Sequence, residues 1–134
     1  MAKLLHIREY MTPSPKTIVP TASLQAARRL MLELEVHHLP VVDANALLVG
    51  LISSRDIAAA ESLLGDLADT ATVALVMTSG PFSCGPEAHI GAVAREMLAK
   101  GAGSAIVVDR DHPCTVLGIF TVTDALRLIA DLDA

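Results

Sequence analysis

The sequence predicts an α/β fold of the α+β type, made from one β-α-β-β-α unit used twice. Three observations carry this. Met11-Thr12, Pro20, Met31 and Val41-Val42-Asp43 recur 66 positions later as Met77-Thr78, Pro86, Met97 and Val107-Val108-Asp109. The run Gly50 to Asp56 recurs 68 positions later as Gly118 to Asp124. The added length falls at Arg110-Asp111-His112-Pro113, a turn composition. A repeat that keeps its punctuation and puts its length change in a loop is a duplicated structural unit. The join falls near Gly65 to Thr72, so the copies are taken as residues 1–66, with the N-terminal lead-in, and 67–134.

In order along the chain, Ile7 to Met11 reads as a short helical lead-in stopped by Pro13 and Pro15. Lys16 to Val19 is brief and extended. Ser23 suits an N-cap, and Leu24, Ala27, Leu30, Met31 and Leu34 follow at the spacing of an amphipathic helix, with Arg28, Arg29, Glu33 and Glu35 on the wet side. Leu39 to Val42 is a β-branched strand, with Pro40 near its start where a missing N–H is tolerated. Asp43 to Ala46 is a turn. Leu47 to Ile52 is a second strand, apolar on both faces and so expected to be buried. A helix follows from Ser53 to Leu64, capped by Ser53 or Ser54 and stopped at Gly65.

The second copy keeps the order. Thr72 to Met77 is its lead-in, and Phe82 to Cys84 is extended. His89 to Lys100 is a helix closed by Gly101 and Gly103. Ala105 to Val108 and Val116 to Phe120 are strands, and Val122 to Leu132 is the last helix.

A unit of about 65 residues buries too little surface to be robust alone, so the copies are expected to pack together. Tyr10, Phe82 and Phe120 are the only aromatic residues, leaving little for base stacking. The formal charge is −5 and no basic run occurs, so nucleic acid and anionic membrane are poor partners. No apolar stretch is long enough to span a bilayer and the N-terminus lacks a signal-type apolar region, which makes the cytoplasm the expected compartment. Cys84 and Cys114 have no paired spacing and read as reduced thiols. No nucleophile elbow, phosphate loop, HExxH or paired-carboxylate signature is present, so no catalytic residue is assigned. Adjacent His37 and His38 in an extended segment point opposite ways, and no metal site is expected of them.

Ser53-x-x-Asp56 and Thr121-x-x-Asp124 stand where a strand becomes a helix. Free backbone N–H groups and partial positive charge collect there. The pattern admits two readings. It is a plain capping box, or it is a site where a hydroxyl meets an anion and the aspartate accepts from a vicinal diol such as that of a ribose.

Together, the Met-Thr openings, the Pro20 and Pro86 stops, the run His37 to Asp43, and the runs Gly50 to Asp56 and Gly118 to Asp124 resemble the CBS domain family (cystathionine β-synthase-type domains), as a tandem pair of the stand-alone prokaryotic type. The resemblance spans about Ile7 to Leu132. It implies that the copies pack through their sheets with pseudo-twofold symmetry and form two clefts for adenosine-type ligands: AMP, ADP, ATP or S-adenosylmethionine. Carried over, one cleft comprises Thr12, Pro13, Ser14, His37, His38, Ile119, Thr121 and Asp124. The other comprises Leu51, Ser53, Arg55, Asp56, Thr78, Ser79, Gly80, Gly103 and Ser104. Each aspartate would hold ribose hydroxyls, with adenine against backbone groups, Ile119 and Leu51. No cofactor is required; the nucleotide would be a regulatory ligand. The implied protein is not an enzyme. It is a signal-transducing sensor module acting on an unidentified effector protein, commonly as a homodimer built from apolar lead-ins and from helix faces near Leu63 and Leu128. Gly103-Ser104 departs from the commoner family pattern and leaves a second reading: a structural dimerisation module whose clefts no longer bind.

Overall fold

The computed structural model describes residues 4–133. In chain order the strands and helices are β1 (Thr12–Pro13), α1 (Leu24–Leu34), β2 (His38–Val42), β3 (Leu48–Ser53), α2 (Ser54–Leu64), α3 (Val73–Val76), β4 (Thr78–Ser79), β5 (Ser83–Cys84), α4 (Ile90–Lys100), β6 (Ser104–Val108), β7 (Val116–Thr121) and α5 (Val122–Leu132). Single 3-10 turns cover Ile7–Glu9 and Gly65–Asp69. The fold is mixed α/β with two separate sheets.

The compact units are cut differently from the sequence repeats. One unit is Lys16–Pro81; the other joins Met1–Pro15 to Phe82–Ala134. The cause lies in strand pairing. The opening Thr12-Pro13 pairs with Ile119 and Gly118 of the second copy. Thr78 and Ser79, which open the second copy, pair with Leu51 and Gly50 of the first. Each unit thus carries the other copy's opening as an edge strand.

The Lys16–Pro81 unit has the sheet order β2-β3-β4, all antiparallel. The predicted extended segment before α1 is reduced to a parallel bridge of Ile18 on Val41. Ser23 caps α1, its Oγ accepting from the Ala26 N–H at 3.1 Å. Leu24, Ala27 and Met31 face a core with Leu39, Val41, Ile52 and Ile57. Leu34, expected on this apolar stripe, is instead exposed at the last turn, where Glu35 enters the left-handed region at φ 56°. Strand β3 also departs from expectation. Gly50 and Ile52 are buried, but Leu48, Val49 and Leu51 are only half-buried and Leu47 is exposed. Alternate residues of a strand point to opposite faces, so one packed face cannot cover the other. Asp43 makes the predicted turn, its Oδ1 accepting from Asn45 and Leu47 N–H.

The other unit has the sheet order β1-β7-β6-β5, with β5 parallel to β6 and the remaining pairs antiparallel. Ile7 is fully buried with Ile90, Val93, Met97, Phe120 and Leu128. Leu128 itself belongs to this core, while Leu126, Ile129 and Leu132 near it on α5 are exposed, as is Leu63 at 85%. Helix α4 ends at Gly101, φ 65°, a backbone conformation that suits glycine.

Two glycines let the openings approach. A Cβ on Gly50 would lie 2.6 Å from Met77 Sδ and 3.0 Å from the Thr78 carbonyl oxygen. A Cβ on Gly118 would lie 2.9 Å from both Met11 Cγ and the Thr12 carbonyl oxygen. Both repeats thus use glycine to seat a methionine and the following strand against the sheet.

Candidate functional site

The two strand-to-helix junctions have the same local geometry. Ser53 and Thr121 are N-caps with extended backbones. The Asp56 N–H donates to Ser53 Oγ at 3.1 Å, and the Ser53 N–H donates back to Asp56 Oδ2 at 2.9 Å. The Asp124 N–H donates to Thr121 Oγ1 at 3.3 Å, and the Thr121 N–H donates to Asp124 Oδ2 at 2.9 Å. Both are complete capping boxes, so the aspartates have a structural role. That role engages one carboxylate oxygen and leaves the other, since an ionised carboxylate offers about four acceptor positions.

The second oxygens differ. Asp124 is 5% exposed, and its Oδ1 accepts from Thr12 Oγ1 at 3.2 Å and from Arg127 Nη1 at 3.2 Å. Asp56 is half-buried, and no such bond reaches its Oδ1 among the described residues. Asp124 lies at a recess of about 380 Å³ lined by Glu9, Tyr10, Met11, Thr12, Pro13, Asp124, Arg127, Leu128 and Asp131. This volume falls within the range of small-molecule sites. A groove of about 450 Å³ runs between α1 and α2, lined mainly by apolar groups with His37 and Ser54 at one side. It lacks Asp56, so the larger hollow is not where the diol chemistry would be.

The unit that holds Asp124 also holds Thr12, Pro13, Ser14, Ile119, Thr121, Gly103 and Ser104. Ser14 takes φ 45° and its N–H donates to the Leu117 carbonyl at 3.0 Å. Ser104 pairs with Thr121 and is buried, its Oγ without a partner among the described residues. The Lys16–Pro81 unit holds His37, His38, Leu51, Ser53, Arg55, Asp56, Thr78, Ser79 and Gly80. Each dipeptide therefore lies in the unit of its own copy's aspartate. His38 pairs with Ser53, and His37 Nδ1 lies 3.3 Å from Ser54 Oγ. Burial holds the His38 pKa below its ordinary value, helped by His37 and Arg55 and opposed by Asp56. Among the described residues, no cluster of three His, Cys, Asp or Glu could hold a metal.

Glu9, Tyr10, Met11, Arg127, Leu128 and Asp131 are recess residues beyond those expected. Met11 is marked in the sequence by the repeated Met-Thr opening, and Arg127 stands three residues after Asp124, one helical turn away on the same face.

Comparison with known proteins gives a consistent result. The model of the CBS domain matches twice, at residues 7–62 and 72–131. The AcuB protein of Vibrio cholerae is 31% identical with a TM-score of 0.84, over 97% of this chain and 93% of that one. CBSX2 solved in complex with AMP is 27% identical with a TM-score of 0.81, over 96% and 98%; the CBSX2 pair has also been solved from Arabidopsis thaliana. The CBS domain pair of protein MJ0100, in complex with 5′-methylthioadenosine and S-adenosyl-L-methionine, is 26% identical with a TM-score of 0.86, over 96% and 98%. Homoserine O-acetyltransferase of Methanohalobium evestigatum is 31% identical over 94% of this chain but 24% of its own length. The chain spans about a quarter of the length of such curated relatives. No helix among the described residues is long and apolar enough to cross a membrane.

Proposed function

This chain belongs to the CBS domain family, and from that premise we propose that it is a regulatory module that binds an adenosine-type ligand and signals its binding to a partner protein. The observation that carries the reading is Asp124. Its Oδ2 is held by the Thr121 cap, while its Oδ1 lies at a recess beside the Thr12 hydroxyl. A carboxylate fixed by one oxygen, whose other oxygen accepts exchangeable hydroxyl and guanidinium donors at a recess, is suited to a ribose diol. Asp56, with Ser53 and Arg55 beside it, is proposed as a second acceptor. The bound molecules of CBSX2 and MJ0100 support an adenosyl ligand as a class.

The module is proposed to be non-catalytic. The transferase activity of longer relatives is not carried over, because the match occupies only a quarter of them. A homodimer in the cytoplasm fits the free thiols Cys84 and Cys114 and the exposed Leu63, Leu75 and Leu126. The intact capping boxes favour one alternative, a dimerisation module that keeps the helix caps without a ligand.

Thermal denaturation with adenosine, AMP, ADP, ATP, methylthioadenosine and S-adenosylmethionine separates the two. A ligand at a hundredfold excess over its Kd adds about 2.7 kcal/mol. A shift with at least one of the six is expected; none shifting the transition would overturn the sensor reading and leave the dimerisation module.

A further inference from the structure

We infer that Arg127 is the specificity-determining residue of the Asp124 recess, setting its preference between phosphorylated and unphosphorylated adenosyl ligands. This rests on the reading that Asp124 accepts a ribose diol.

The geometry sets up a competition for one atom. Asp124 Oδ2 is committed to the Thr121 N–H and lies 3.1 Å from Thr121 Oγ1. Oδ1 already accepts from Thr12 and Arg127, which fills the positions of one carboxylate oxygen. With the Thr121 hydroxyl also donating to Oδ2, about four acceptor positions are filled, so a diol bringing two further O–H donors must displace at least one present donor from Oδ1. Thr12 sits on β1, whose backbone is held by pairing with β7. The Arg127 side chain is 71% exposed although Asp124 is buried, so the guanidinium can swing into water while the carboxylate stays in place. Arg127 is the group that yields.

Once released, its guanidinium decides what tail the site accepts. The other charged residues lining the recess are Glu9, Asp124 and Asp131, all acidic, so Arg127 is its one cation among the described residues. Without it the recess repels a phosphate. With it, a phosphate gains a planar donor suited to its oxygens. The first copy has Ala59 at the corresponding position and carries its arginine at Arg55 instead, so the arrangement belongs to one site only.

The test is isothermal titration with adenosine and AMP, in a chain carrying Asp56→Asn so that the Asp124 recess alone reports. Arg127→Gln is expected to raise the ratio of the AMP Kd to the adenosine Kd by about tenfold, with adenosine binding unchanged or tighter. Arg127→Lys, which keeps the charge, is expected to restore most of the preference; a helix-stabilising role alone would move neither ratio. A ratio that stays constant or falls in Arg127→Gln overturns the inference while leaving the diol reading intact. Binding of neither adenosine nor AMP before Arg127 is changed overturns the inference, and the diol reading with it where none of the other four ligands binds the same chain.

Discussion

Replacing Gly118 by alanine puts a methyl group where β1 crosses β7. The new carbon would stand 2.9 Å from Met11 Cγ and from the Thr12 carbonyl oxygen. Ordinary contacts between such atoms begin near ~3.5 Å, so the neighbours must give by about half an ångström or more. The methionine side chain can turn away. The carbonyl cannot, because Thr12 and Pro13 are registered on Ile119 and Gly118. Overpacking of this kind costs about 1–3 kcal/mol, offset by about 0.5 kcal/mol from the stiffer unfolded chain. The expected net loss is about 0.5–2.5 kcal/mol, or roughly 2–10 °C in Tm for a chain of this size. Gly50→Ala meets Met77 Sδ at 2.6 Å and the Thr78 carbonyl at 3.0 Å, and should lose a similar amount. Gly85→Ala is the internal control: nothing lies within 4 Å of its Cβ. Urea and thermal denaturation of the three variants read the result. If Gly118→Ala and Gly50→Ala unfold together with Gly85→Ala, close seating of the openings is not what the glycines provide.

Other outcomes follow from single residues. Burial holds the folded His38 pKa below its ordinary value of 6.5, so the unfolded chain takes up its proton first on acidification. The stability it contributes is present above 6.5 and lost as pH falls through that value toward the folded pKa. His38→Ser, the residue type of the second copy, should flatten that decline in a denaturation series against pH; an unchanged slope would count against a buried neutral imidazole. Cys84 is half-buried with its thiol pushed up to about 11 by burial and by Glu96, whereas Cys114 is exposed. Iodoacetamide at neutral pH should label Cys114 first by mass spectrometry, and equal labelling would contradict the packing around β5. Ser104→Ala removes a buried hydroxyl that has no partner among the described residues, so stability should hold or rise by up to about 1 kcal/mol; a loss of about 1 kcal/mol or more would reveal a bond to Oγ.

Much of the architecture was legible because it is local. The caps at Ser23 and Ser53, the Asp43 turn, the stop at Gly101 and the bounds of α5 each follow from a few adjacent residues. The exchange of opening strands was not legible from local signals, because Thr12 and Ile119 meet across most of the chain and no periodicity records it. The site was half legible for a related reason. The Ser/Thr-x-x-Asp pattern fits both a capping box and a diol acceptor; the capping box is present, and the second oxygen of Asp124 accepts from Thr12 and Arg127 at the recess. Arg127 carries no distinct signal in the sequence, since an i, i+3 pairing of Asp and Arg on a helix is commonplace. Only the burial of Asp124 and the recess around it distinguish this one.

The central claim is that Asp124 accepts the sugar hydroxyls of an adenosyl ligand. Asp124→Asn keeps one oxygen for the Thr121 N–H and replaces the other acceptor by an NH₂ donor, so the cap largely survives while the diol contact does not. Titration calorimetry in the Asp56→Asn chain, with and without Asp124→Asn, measures this directly. Binding of adenosine or AMP that disappears in the double variant, with Tm lowered by only a few degrees, is the predicted result. Equal heats and equal affinity in both chains would show that the ligand is held elsewhere.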